Sequence, residues 1–331
     1  MNFIRKAFGA VGPQQKNQIP PSLEDNQAIA SRSSAQNSAS LIFPVGVEVW
    51  HDCPQATVDI CFVHGLNGHR SYTWTATEQP LPWPKTLLPQ HLPRARILTY
   101  GYDADVVRRS VASSNGLTDH ATNLLNDLTS DRHFHNASSR PIIFVAHSLG
   151  GLLCKLAILR SQRNPELHLE SIFNCTKGII FMGTPHKGSW MAGLGQSAAV
   201  AIGLVKSTST KLLEVLKKDN EHLKASQYEF WSMMRKEREG GRRLEATCFY
   251  EELPLLAWGV VVPQDSATVD GYNKIGIHDN HCDMVRFGSE EDSGYKRVLG
   301  ELFRWENEVR SPSGQIDGFH RGKFPAPGFV S

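Results

Sequence analysis

The 331-residue sequence has no CxxC pair and no cysteine cluster; its six cysteines are scattered at 53, 61, 154, 175, 248 and 282. Four of them (Cys61, Cys154, Cys175, Cys248) lie in apolar runs, where a free thiol packs as a small hydrophobe. A disulfide framework is not expected, and a reducing compartment fits better. Long apolar runs are also missing. The longest, Ala198–Val205, is less than half of the roughly 18 residues a membrane span needs. Nor is there a surplus of one charge: 35 Lys+Arg face 33 Asp+Glu, a net of +2. Phosphate binding requires a clustered positive excess, so no nucleic-acid partner is expected. Gly 27 and Pro 18 are ordinary usage, which excludes collagen-like and wholly disordered chains. The 40% hydrophobic content suffices for one sizeable core, so one soluble domain with tails is expected.

Residues 1–40 are rich in Gln, Ser, Asn and Ala and bury too little apolar surface to order themselves; residues 311–331 read the same way. Met1–Pro13 lacks the apolar stretch of a secretory signal. With Arg5, Lys6, Lys16 and no acid before Glu24, the segment is a weak candidate for a mitochondrial presequence; a disordered tail on a cytoplasmic protein is the favoured expectation. Between the tails, strand-like runs occur at Val45–Trp50, Val58–Val63, Ile97–Tyr100, Ile142–Ala146, Gly178–Met182, Ala246–Tyr250 and Gly259–Val262. Helical stretches fall at Leu117–Thr129, Gly150–Gln162, within Met191–Glu239 and at Ser293–Val309. Short buried strands separated by helices predict a mostly parallel sheet covered on both faces. Residues 190–239 break the alternation as a helical insertion, placed where a lid over a site would sit.

One junction carries chemistry. The strand Ile142–Ala146 runs into His147-Ser148-Leu149-Gly150-Gly151 and then an apolar helix. A serine on a sharp strand-to-helix turn needs small neighbours to project out of the sheet, and the helix start aims N–H groups at the same point. Ala146 stands where such turns often have glycine. Upstream, Val58–Val63 ends in His64-Gly65-Leu66-Asn67-Gly68. Acyl transfer needs two N–H donors for an oxyanion; Leu149, after the serine, and Leu66, in this earlier loop, are the candidates.

In such an architecture the acid and then the histidine follow the serine. Of 14 histidines, His278, His281 and His320 lie beyond the last predicted strands. His320 is in the tail; His281 occupies the expected loop, with His278 in reserve. His147 and His186 read as loop structure beside the pocket. Glu251, Glu252, Asp265 and Asp270 qualify as the acid by order. The two aspartates follow Gly259–Val262, taken as the last strand, whereas the acid belongs at the end of the strand before it. Glu251 and Glu252 remain, and successive side chains there point oppositely.

The segments His64–Gly68, Ala146–Gly151, Gly183-Thr184-Pro185-His186-Lys187-Gly188-Ser189 and Asn280-His281-Cys282-Asp283-Met284 resemble the serine esterases of the α/β-hydrolase lipases. The similarity is to the branch holding the serine-active-site-containing proteins and relatives of the GPI inositol-deacylases, and to a hydrolase module often fused to fungal receptor-like proteins. It covers residues 41–310 and implies the α/β-hydrolase fold. These proteins tend to read Phe-x-Glu at the relevant strand end, which maps onto Phe249-Tyr250-Glu251 and so favours Glu251. They often carry Asp directly before the histidine; here Asn280 stands there, with Asp279 one step away.

Other chemistries fit less well. Gly183 and Gly188 have the spacing of a phosphate loop, but Ser189 follows where lysine is needed, and no G-x-G-x-x-G follows a strand. His133 and His135, and the run His278–Asp283, lack metal-ligand spacing on a helix face. The expected activity is hydrolysis of carboxylic esters, with hydrophobic or lipid-like acyl groups, through Ser148, His281 and Glu251. No metal or organic cofactor is expected. The expected partner is a hydrophobic ester substrate, with peripheral membrane contact and a membrane-associated location as alternatives. A transacylase or thioesterase, or a non-catalytic acyl-binding module, are the competing readings.

Overall fold

The computed structural model describes residues 44–65, 68–102, 116–187, 220–255 and 259–311. Within them, seven strands form one sheet: β1 (Gly46–His51), β2 (Val58–Val63), β3 (Ala95–Gly101), β4 (Ile142–His147), β5 (Thr176–Met182), β6 (Glu245–Glu251) and β7 (Asn273–Ile277). The spatial order is β1-β3-β2-β4-β5-β6-β7, with β1 antiparallel to β3 and every other pair parallel. The central strands are buried on both faces, and alternate residues enter two separate cores. Cys61, Val63, Phe144 and Ala146 pack with helices α1 (Leu117–Phe134), α2 (Leu149–Gln162), α3 (Leu167–Cys175) and α4 (Asn220–Glu239). Ile60, Phe62, Ile143 and Val145 face the opposite side, with Trp74, Trp83 and helix α5 (Ser293–Arg310). In α5, Asp292 caps the first turn by accepting from the Gly294 and Tyr295 N–H groups, and Tyr295, Val298, Leu302 and Trp305 form the buried stripe at helical spacing.

The chain leaves β2 toward one edge of the sheet and β4 toward the other. These neighbouring strands therefore open a crevice at their carboxyl ends, the switch point where open α/β sheets hold ligands. The opposite end of the sheet is held by charge. Asp59 near the start of β2 accepts from Arg132 of α1 and, at 2.8 Å, from Arg140. Arg96, near the start of β3, reaches Asp131 at 2.6 Å. This is the mostly parallel, two-faced sheet of the α/β-hydrolase fold that the sequence predicts.

Six of the seven expected strands coincide with observed ones. Gly259–Val262 is the exception: it is a loop and not a strand, and its Val261 and Val262 amides turn to a carboxylate rather than to a neighbouring strand. The last strand is instead β7, whose exposed Asn273 and Lys274 mask its two buried residues in the sequence. Helix α3 was not expected. Of the insertion expected at 190–239, only 220–239 is described, as α4; residues 190–219, with Ala198, Val200, Ile202 and Leu204, lie outside the described residues, as do residues 1–40 and all but the first residue of the tail expected at 311–331. Among the described residues no helix is long and apolar enough to cross a membrane.

Candidate active site

Ser148 sits between β4 and α2 with φ +52° and ψ −125°, a backbone conformation that costs a non-glycine residue about 1–3 kcal/mol. The surroundings hold it there. Its N–H donates to the Met182 carbonyl of β5 at 2.8 Å, and its carbonyl accepts from the Gly151 N–H at 3.1 Å. Two glycines let the β2 loop and the elbow touch. A Cβ on Gly150 would stand 2.4 Å from the His64 carbonyl oxygen, and one on Gly65 would stand 2.8 Å from the Ser148 Cβ. Leu149 opens α2, so its N–H is among those with no partner inside the helix. Leu66, the other expected donor, lies outside the described residues.

His281 follows β7 by four residues, on a turn that Asn280 caps. The Asn280 Oδ1 accepts from the Cys282 and Asp283 N–H groups at 2.9 and 3.2 Å, which gives asparagine a local reason to stand before the histidine. The His281 Nδ1 lies 2.6 Å from the Glu251 Oε2. Glu251 is the last residue of β6, and its Oε1 accepts from the Val261 N–H and, at 3.3 Å, from the Val262 N–H. Both groups are buried. A carboxylate facing Nδ1 requires a proton on that nitrogen, so in the neutral ring the lone pair resides on Nε2. That Nε2 is buried and has no hydrogen-bond partner among the described residues.

The competing residues point elsewhere. Glu252, the next residue along, turns away and pairs at 3.1 Å with His278, whose side chain is largely exposed. Asp265 is exposed beside Lys187, and Asp270 is exposed. The structure thus gathers Ser148, Leu149, Glu251 and His281 at one end of the sheet and leaves out His278, Glu252, Asp265 and Asp270.

Residues 59–226, about half of the chain, match the family described as "Putative serine esterase (DUF676)". The chain belongs to this serine esterase family. Its curated relatives include Protein SERAC1 of Homo sapiens and of Bos taurus, each 28% identical over 263 residues, covering 73% of this chain and 38% of the relative. The chain therefore spans well under half the length of these relatives. Among solved structures it is similar to the Bacillus licheniformis lipase BlEst2, at 15% identity and a TM-score of 0.48, over 80% of this chain and 95% of that one. It is also similar to the NocB thioesterase domain from the nocardicin cluster, at 13% identity and a TM-score of 0.41, over 79% and 99%.

This family member surrounds its site with histidines whose roles the sequence does not reveal. His64 donates from Nδ1 to the Gly65 carbonyl at 2.8 Å, accepts at Nε2 from the Tyr102 N–H at 3.3 Å, and stacks on the Tyr102 ring at 4.4 Å. The Tyr102 hydroxyl donates back to the His64 carbonyl at 3.0 Å, so the β2 loop is fastened to the end of β3. Burial lowers the His64 pKa to about 4 and keeps the ring neutral. His147 donates from Nε2 to the His281 carbonyl at 3.0 Å, with its ring 4.9 Å from the His281 ring. Burial first, and the neighbouring His281 second, hold His147 well below the usual histidine range. Adjacency to Ser148 was the one available signal for His147; nothing in the sequence marks Tyr102.

Proposed function

We propose that the chain is a serine hydrolase of carboxylic esters in which Ser148, His281 and Glu251 form the catalytic triad. One observation carries the reading: the buried His281 is bonded at Nδ1 to a carboxylate that two amides already fix, its Nε2 has no partner among the described residues, and the strained Ser148 stands at the same end of the sheet. The Ser148 Oγ attacks the ester carbonyl and its proton passes to the His281 Nε2. The new imidazolium is stabilised by Glu251. The Leu149 N–H, together with the expected Leu66 N–H, receives the oxyanion. When the carbon–oxygen bond breaks, the Nε2 proton goes to the leaving alcohol and Ser148 carries the acyl group. Water then loses a proton to Nε2 and attacks the acyl carbon; the acyl–Oγ bond breaks, the Nε2 proton passes to the Ser148 Oγ, and the acid leaves.

The preferred substrate is an ester with a hydrophobic acyl chain. The side chains of Tyr102, Leu149 and Met284 are buried beside the site and make its surroundings largely apolar, which supports this choice. The direct test is a panel of esters graded by acyl length, run on the wild type and Ser148→Ala. The wild type is expected to favour longer chains and the variant to lose several orders of magnitude in kcat. Turnover by Ser148→Ala near the wild-type level would overturn the mechanism, and a preference confined to acetate would overturn the substrate class. Product analysis with an added alcohol separates hydrolysis from acyl transfer through the same acyl-enzyme.

A further inference from the structure

Behind the site lies a buried polar cluster that the proposed chemistry does not use. Lys155, on the second turn of α2, is 1% exposed and has no carboxylate beside it among the described residues. Its Nζ stands 2.6 Å from the His186 Nδ1 and donates to the Gln227 Oε1 of α4. Aromatic rings surround it, with Trp231 at 4.5 Å, Phe181 at 4.9 Å and Phe230 at 5.4 Å from Nζ. Burial pushes the amine well below the usual lysine range, while the ring faces favour the ammonium; in either state Nζ donates to both partners. His186 is held neutral by burial, so its other nitrogen carries the proton toward the Cys248 Sγ at 3.5 Å. A methionine at 155 would fill this space without the cost of drying an amine. Besides its contacts with the ring faces, the lysine differs from it in the two hydrogen bonds, and neither partner is on its own helix.

Those bonds end where the site is built. The loop 183–187 forms the floor under the imidazole: a Cβ on Gly183, whose φ is +59°, would stand 2.8 Å from the His281 Cε1 and 3.0 Å from its Nδ1. The same loop binds the Phe249 carbonyl of β6 through the Gly183 N–H at 2.8 Å, and the Ser266 carbonyl through the His186 N–H at 2.7 Å. Ser266 belongs to the short turn Gln264–Ala267, just after the two amides that hold Glu251. His186 thus stands between the floor of His281 and the support of Glu251. We infer that Lys155 is a positioning residue: through His186 and Gln227 it clamps the loop 183–187 between α2 and α4, and so holds His281 and Glu251 in their catalytic geometry. The inference rests on the proposed triad.

The test compares Lys155→Met, Gln227→Leu and Ser148→Ala with the wild type. Turnover is measured per active site, counted by fluorophosphonate titration, and the far-downfield proton resonance of the His281–Glu251 hydrogen bond is followed by NMR. Lys155→Met should lower kcat about 10- to 100-fold with KM nearly unchanged, and should shift or broaden that resonance, because small misplacements of reacting groups are costly. Gln227→Leu should show the same pattern more weakly, and it carries the test if Lys155→Met does not fold. A merely structural lysine would lower the melting temperature and the count of active sites while leaving both kcat per site and the resonance as in the wild type; that result overturns the inference. Activity in Ser148→Ala would instead overturn the triad and, with it, the role of Lys155. An inactive Ser148→Ala beside a fully active Lys155→Met leaves the triad standing and removes only the clamp.

Discussion

Ser148 was readable because its environment must be small: only a sharp turn between a buried strand and a helix accounts for Ala146, Gly150 and Gly151 around one serine. Glu251 was less so, since the sequence offered two successive glutamates and only strand alternation separates them. Glu251→Gln should fold normally and lose about 10²- to 10⁴-fold in kcat, because the amide cannot hold the imidazole in the required tautomer or stabilise its charge; steady-state rates check this, and an unimpaired Glu251→Gln beside an inactive Glu252→Gln would reassign the acid. His64 supplies a pH dependence. Its ring titrates near 6.5 when exposed and at about 4 in the fold. Within that window the unfolded chain binds a proton the folded chain refuses, so stability falls as pH drops from 6.5 toward 4 and this contribution levels off below. The loss amounts to at most about 3 kcal/mol. Melting temperatures across the window should fall less steeply for His64→Gln than for the wild type; equal slopes would contradict the assignment.

At the scale of elements, hydrophobic runs located six strands, of which β2–β6 are buried along nearly their whole length and β1 is mostly half-buried. The same signal failed at both ends of its range. Gly259–Val262 is apolar yet serves as a loop, because Glu251 takes two of its amides; β7 is a strand with a polar beginning. No local pattern could reveal that a loop would bind a carboxylate ten residues upstream. The contact of α2 with the β2 loop gives a sharper test. Gly150→Ala places a methyl group against the carbonyls of Val63 and His64, so that loop must retreat from the elbow. About a 10²-fold loss in kcat is expected, with the helical circular dichroism retained. Wild-type rates would show that the packing of α2 on this loop does not set the site.

Across the whole molecule, the two ends of the sheet divide the work. The carboxyl ends hold the strained serine, the buried imidazole and the carboxylate; the amino ends hold Asp59 among Arg96, Arg132 and Arg140. None of that charge network was legible, since its members are far apart in the sequence and each alone looks like a surface residue. Asp59→Asn leaves the buried Arg132 guanidinium without its counter-charge and should cost about 3–5 kcal/mol in urea unfolding, while kcat/KM of the folded enzyme stays unchanged. Equal stability, or a folded variant with impaired turnover, would contradict this separation. The central claim is that Ser148 is the nucleophile, and the most direct measurement of it is mass spectrometry of the folded chain after reaction with a fluorophosphonate. The adduct is expected on Ser148 at one per chain, and on no residue of folded Ser148→Ala; an adduct on another residue, or none on the folded wild type, would contradict the account.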